Sequence, residues 1–181
     1  MKKFLSAFLT LLLSTSVLSA GEFTLSSKDL KGQLSTKQVF NGFGCIGENI
    51  SPELSWKNAP EGTKSFAVTV YDKDAPTGSG WWHWVVFNMD GKTSGLEQNA
   101  GNPKANLLPK NAVQSITDFG QTGFGGACPP KGDKAHQYVF TVHALNVDKL
   151  ELKENTSPAL VGYMLNIHTI EKASVVSYYS R

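Results

Sequence analysis

In "SFAVTVYD" (65–72), Phe66, Val68 and Val70 alternate with Ala67, Thr69 and Tyr71. That period of two sends successive side chains to opposite faces of a β-strand. "WWHWVVFNM" (81–89) is aromatic or β-branched almost throughout, which predicts a central strand covered on both faces. Further strands are predicted over 112–116 ("AVQSI") and 137–147 ("QYVFTVHALNV"), with shorter ones over 23–27 and 52–57. One segment, "SPALVGYMLNIHTIEKA" (157–173), carries the helical period. Ser157 offers an N-cap, Pro158 suits the first turn, and Leu160, Val161, Met164, Leu165 and His168 fall on one stripe. "SVVSYY" (174–179) then predicts a closing strand. The sum is a β-rich α+β domain with one or two helices packed outside.

The first twenty residues do not belong to that pattern. "MKKFLSAFLTLLLSTSVLSA" has two lysines, an apolar run from Phe4 to Leu13 and a small-residue end, the three parts of a secretory signal. The run falls short of the roughly 20 apolar residues that a membrane span needs. Residues 1–20 are therefore expected to be a signal peptide cut after Ala20, or after Ser19. Residues 21–181 then form a single domain without a transmembrane segment, in the periplasm or secreted. Lys2 and Lys3 are two of the 17 Lys and Arg, so the remainder balances the 15 Asp and Glu. The only arginine is Arg181, and no basic stripe exists, which excludes nucleic acid as a partner. Two cysteines, Cys45 and Cys128, in an oxidising compartment predict one disulfide, with two buried thiols as the alternative.

The candidate chemistry sits where strands begin. His83 opens one strand, with Val85 and Phe87 expected on its face. His136 and Tyr138 open another, ahead of Phe140, Val142 and Ala144. The preceding loops carry Asp72 and Asp74, and the glycine-rich "FGQTGFGGACPPKGDKAHQY" (119–138). If these strand ends adjoin, they make a small polar pocket. Consecutive glycine N–H groups could then hold an anion, although a mobile surface loop is the plainer reading. For the two aspartates the plainer reading is an Asx turn. His143 and His168 are expected to be structural, Phe43, Trp56 and Trp84 to be core, and Lys131 and Lys134 to be solvated.

"DKDAP", "WWHWVVFN", "GFGGACPPKGDKAHQY" and "FGCIGENISPELSW" (43–56), in their order along the chain, resemble the phosphatidylethanolamine-binding protein family. The resemblance is closest to its bacterial Raf-kinase-inhibitor-like branch. It implies a central antiparallel sheet packed by a second, smaller sheet and peripheral helices. It also implies a shallow pocket for anionic groups such as the phosphate of a phospholipid head. The family's pocket residues fall on Asp72, Asp74, Trp81, His83, Pro129, His136 and Tyr138, and Gly126 and Cys128 of the glycine loop join the expected ligand-binding set. Cys128 stands where many relatives have glycine, and Gln137 where eukaryotic members often have arginine. The C-terminal helix that partly covers the pocket in animal relatives is not expected after Arg181.

In the expected mechanism the carboxylates keep His83 and His136 as imidazolium, and both donate to a phosphoryl oxygen. Tyr138 and the glycine loop add further donors, and folding is expected to tolerate loss of either histidine. The function implied is non-catalytic binding of a small anionic ligand, without cofactor or metal. A zinc site, a hydrolase lacking an obvious nucleophile, and a module that inhibits a protease or kinase by contact are the competing readings.

Overall fold

The computed structural model describes residues 21–181, and the predicted signal peptide lies outside the described residues. The strands are β1 (Thr24–Ser26), β2 (Asn41–Gly42), β3 (Cys45–Ile46), β4 (Leu54–Lys57), β5 (Ser65–Asp72) and β6 (Trp81–Asp90). They continue with β7 (Gly95–Leu96), β8 (Val113–Gln114), β9 (His136–Leu145) and β10 (Thr169–Tyr179), and α1 (Pro158–His168) runs directly into β10. A five-stranded sheet in the order β10-β9-β5-β6-β8 is antiparallel at every pairing. A smaller antiparallel sheet, β1-β4-β7, covers one face, and β2–β3 is a separate hairpin.

Alternation along the strands sorts the core into two layers. Phe66, Val68, Val70, Trp84, Val86, Phe140 and Val142 pack beneath Leu25, Leu54 and Trp56 of the smaller sheet. On the opposite face Ala67, Val85 and Phe87 pack against Val161 and Leu165 of α1. β6 is covered on both faces as its composition predicts, although β5 is the central strand.

The strict period of two fails at His83. Val70 pairs with Trp84 and Tyr71 with Trp82, so His83 is the extra residue of a β-bulge and has no partner on β5. The bulge puts His83 and Trp84 on the same side. Val85 and Phe87, expected beside His83, lie on the other face.

Three further expectations are corrected. α1 stops at His168, where the Thr169 hydroxyl and N–H both bond the Leu165 carbonyl, and residues 169–173 pair with β9. Cross-strand pairing overrides the helical propensity of "EKA" there. The buried stripe of α1 is Pro158, Val161 and Leu165, while Leu160 is exposed. Phe43 is not core. It turns the β2–β3 hairpin with φ 52° and is 69% exposed.

Candidate functional site

Asp72 ends β5 opposite Trp81 on one side and Tyr138 on the other, so the three strand ends meet as the sequence requires. A cavity of about 180 Å³ opens beside them. Asp72, Trp81, His83, Cys128, Pro129, His136 and Tyr138 line it; Asp74 and Gly126 do not. Gly80, with φ +67°, lets the incoming loop turn under Tyr71, where a Cβ would lie 2.1 Å from the phenol oxygen.

The carboxylates and His136 form a closed network. His136 Nδ1 lies 2.7 Å from Asp72 Oδ2, and its Nε2 lies 3.3 Å from Asp133 Oδ2. Asp72 Oδ1 accepts the Asp74 N–H at 2.9 Å, so the Asx turn and the histidine partner are made by the same side chain. Asp74 Oδ2 accepts the Gln137 N–H at 2.9 Å and straps the loop to β9. Burial pushes the Asp74 carboxyl up, but the Gln137 N–H with the Lys73 and Lys134 charges outweighs it and holds the group below its ordinary value. Each nitrogen of His136 thus faces a carboxylate oxygen, the nearer one being that of buried Asp72. Asp72 and Asp133 hold opposite nitrogens of one ring and so do not converge on a metal position. Among the described residues no cluster of three or more His, Cys, Asp or Glu is arranged to hold a metal ion.

His83 is different. It is buried, its Nδ1 donates to the Gly125 carbonyl at 2.7 Å, and its ring lies edge-on to Tyr138. Burial pushes the imidazole below its ordinary value, against the lift from the Gly125 carbonyl and the Asp72 charge. The ring is neutral near pH 7, with its proton on Nδ1, so Nε2 presents a lone pair and not the expected imidazolium proton. Tyr138 supplies the opposite function. Its hydroxyl is buried and makes no hydrogen bond of normal geometry among the described residues; the Asp72 carboxylate is the acceptor beside it. Burial, and then the charge of Asp72, push the phenol well above its ordinary value, so it remains a donor.

Across residues 124–127 the glycine loop does not form the expected anion nest, because these four N–H groups are already used. Phe124 N–H bonds Gly101 O, Gly125 N–H bonds His83 O, Gly126 N–H bonds the Asn49 side chain, and Ala127 N–H bonds Gln38 O. Gly126 is there for close packing: a Cβ would lie 2.3 Å from the Gln38 carbonyl.

Two residues that the motifs did not single out, Phe119 and Arg181, brace the rim. Phe119 packs against Phe40 at 4.5 Å, stacks with Phe43 at 5.9 Å and meets Trp81 and His83 edge-on, closing one side of the cavity. The Cys45–Cys128 disulfide joins the β2–β3 hairpin to the cavity wall across 83 residues. Arg181 donates to the carbonyls of Pro129 and Gly44 at 2.6 and 2.9 Å and pins the same two loops. Its being the only arginine was the one signal available for it.

The profile described as "Phosphatidylethanolamine-binding protein" matches residues 27–180, and the chain belongs to that family. Escherichia coli (strain K12) YbcL is 54% identical over 162 residues, covering 88% of each chain. YbhB from the same organism is 48% identical over 158 residues, or 86% of this chain and 99% of its own. The crystal structure of YbcL, described as a new member of the mammalian PEBP family, superposes with a TM-score of 0.87 at 53% identity. That match covers 89% of this chain and 99% of the other. A PEBP homologue from Chlamydia trachomatis gives 0.71 at 27% identity, over 88% and 97% of the two chains. The fold is the PEBP fold, mostly antiparallel sheet with a single α-helix among the described residues. No helix among the described residues is long and apolar enough to cross a membrane.

Proposed function

We propose that this is an exported, non-catalytic binding protein whose small cavity takes a phosphate or phosphorylated head group. The observation that carries this reading is the pair at the cavity floor: an unpartnered, buried Tyr138 hydroxyl beside the free Nε2 of a neutral His83. A singly protonated phosphate monoester complements both, accepting from Tyr138 and donating its P–OH to His83. The apolar rim of Phe43, Trp81, Phe119 and Pro129 covers the rest of the head group. The family's description supports the ligand class. Binding without turnover is supported by the lack of a poised nucleophile: Cys128 is oxidised, and the Thr77 hydroxyl is bonded to the Gly80 carbonyl. Export is supported by the charge and apolar pattern of residues 1–20 and by the disulfide. N-terminal sequencing of the periplasmic fraction should begin at or near Gly21.

The complex holds one proton between ligand and His83. The second ionisation of a phosphate monoester lies near about pH 6, so affinity should fall as pH rises through that region. Calorimetric titration with inorganic phosphate and phosphoethanolamine from about pH 5 to 8 tests this, with His83→Gln flattening the profile. Undiminished, pH-independent affinity in that variant would remove His83 from the mechanism, and turnover of phosphoethanolamine would replace binding with catalysis.

A second reading, contact with a protein partner such as a protease or kinase at the same mouth, is favoured by the hairpin beside it. Phe43 and Ile46 are 69% and 91% exposed there. A photo-crosslinker at position 46 should then give one discrete adduct in the periplasm.

A further inference from the structure

On the opposite face of the same strand ends lies a larger cleft, of about 540 Å³, which the site above does not use. Strand alternation makes both. Asp72, Trp81 and Tyr138 turn to the small cavity, while Tyr71, Trp82 and Val139 turn to this one. Its size falls within the range of about 300–1,000 Å³ typical of small-molecule sites. Tyr71 and Trp82, with ring centroids 4.6 Å apart, form an aromatic wall, and α1 forms the facing wall.

The floor is polar and already satisfied internally. The Thr169 hydroxyl donates to Leu165 O and so accepts from His143 Nδ1 at 3.3 Å, which leaves His143 Nε2 to accept from the Thr69 hydroxyl at 3.2 Å. This neutral ring is not a ligand for an anion. The cationic groups are at the rim. Lys73 and Lys172 line the cleft, no carboxylate does, and Lys172 has no ion pair among the described residues.

One residue of α1 points independently to a use for the space. Gly162 sits mid-helix, where glycine costs stability relative to alanine. Alanine would fit, since a Cβ would meet the Trp82 ring at an ordinary 3.6 Å. What glycine preserves is open room between the helix and the indole.

We propose that this cleft is a second ligand site, for an amphipathic monoanion. Its acidic head meets Lys172 at the rim, and its apolar body lies between Trp82 and α1 at Gly162. Fluorescence titration of the native protein with anilinonaphthalene sulfonate, with octanoate as competitor, tests it. One saturable site displaced by octanoate is expected. Lys172→Glu should weaken binding by about tenfold or more, as expected for reversing the charge that meets the head group. Gly162→Leu should abolish binding, and Gly162→Ala should weaken it while raising Tm. Trp81→Ala, at the small cavity, should leave it unchanged. Wild-type binding in both Lys172→Glu and Gly162→Leu would overturn the assignment. So would loss in Trp81→Ala, or no saturable binding into the millimolar range. Lys172→Glu, an exposed substitution, decides the matter should Gly162→Leu disturb the helix.

Discussion

The small cavity and the large cleft are built on the same ends of β5, β6 and β9, yet they handle polarity in opposite ways. Around the small cavity the carboxylates are partnered: Asp72 with His136, Asp133 with the same ring, and Asp74 with the Gln137 N–H, Lys73 and Lys134. The large cleft keeps its charge on exposed lysines at the rim, and its one buried ionisable group, His143, is kept neutral by burial and by Lys172 while two hydroxyls bond its ring. The difference follows from what covers each face. A disulfide-tied set of loops closes over the first. A single helix covers only the part of the second near Ala67, Val85 and Phe87. Carboxylates under loops must find partners and become part of the fold. One beside a short helix can stay open and independent of it.

The largest test of that contrast is the disulfide. Its 83-residue separation gives a loop-entropy contribution of about 4–5 kcal/mol, an upper value because the unfolded chain keeps some structure. Urea unfolding with and without reductant should show a loss approaching it. Reduction should also weaken phosphate binding at the small cavity while sparing anilinonaphthalene sulfonate. Equal loss at both sites would break the comparison.

His136→Ala comes next. It leaves Asp72, which is 3% exposed, without its main partner, a change that costs about 3–5 kcal/mol in comparable buried pairs. Contrary to the sequence-based expectation, folding should therefore feel the loss of this histidine. Adding Asp72→Asn should recover part of the loss. Lys172→Ala, at the cleft, should stay within about 0.5 kcal/mol of wild type. Chemical denaturation of the three variants checks all of this together.

The cleft has its own pH signature. Burial, with a further push from Lys172, lowers His143 from the ordinary 6.5 to about 4. The unfolded chain takes up the proton first, so the stabilisation is complete above pH 6.5 and is lost as pH falls from there toward 4. The shift corresponds to roughly 3 kcal/mol. His83, also depressed, acts in the same direction. His143→Gln should flatten the dependence of unfolding free energy on pH across this window. An unchanged slope would assign the acid loss to His83 instead.

Much of this architecture was legible beforehand. β5 matches its predicted span because Phe66, Val68 and Val70 fill one core layer while Ala67, Thr69 and Tyr71 turn to the other face, and Asp72, His83, His136 and Tyr138 do converge. The failures share a cause: they depend on partners that local pattern does not name. A period of two cannot show that β6 bulges at His83, because the bulge exists only in register with β5. Glycines announce free N–H groups, but whether Gln38, Asn49 and His83 have already taken them is decided by tertiary packing. The helix overran because nothing in "TIEKA" shows that β9 lies alongside.

The smallest effect is the most discriminating. The Tyr138 hydroxyl is buried without a partner, so the free protein bears the cost of desolvating it. Tyr138→Phe keeps the ring packed against His83 and removes only that oxygen. Stability should hold or rise by about 1 kcal/mol, whereas affinity for phosphoethanolamine should fall by about tenfold, the worth of one hydrogen bond to a charged group. Binding at the cleft should not change. Thermal unfolding and calorimetry on the same variant read the two quantities separately. Opposite signs would mark the hydroxyl as a group kept for a ligand at the expense of the fold. A parallel loss of stability and binding would make it a structural group and take away the donor on which the small-cavity reading depends.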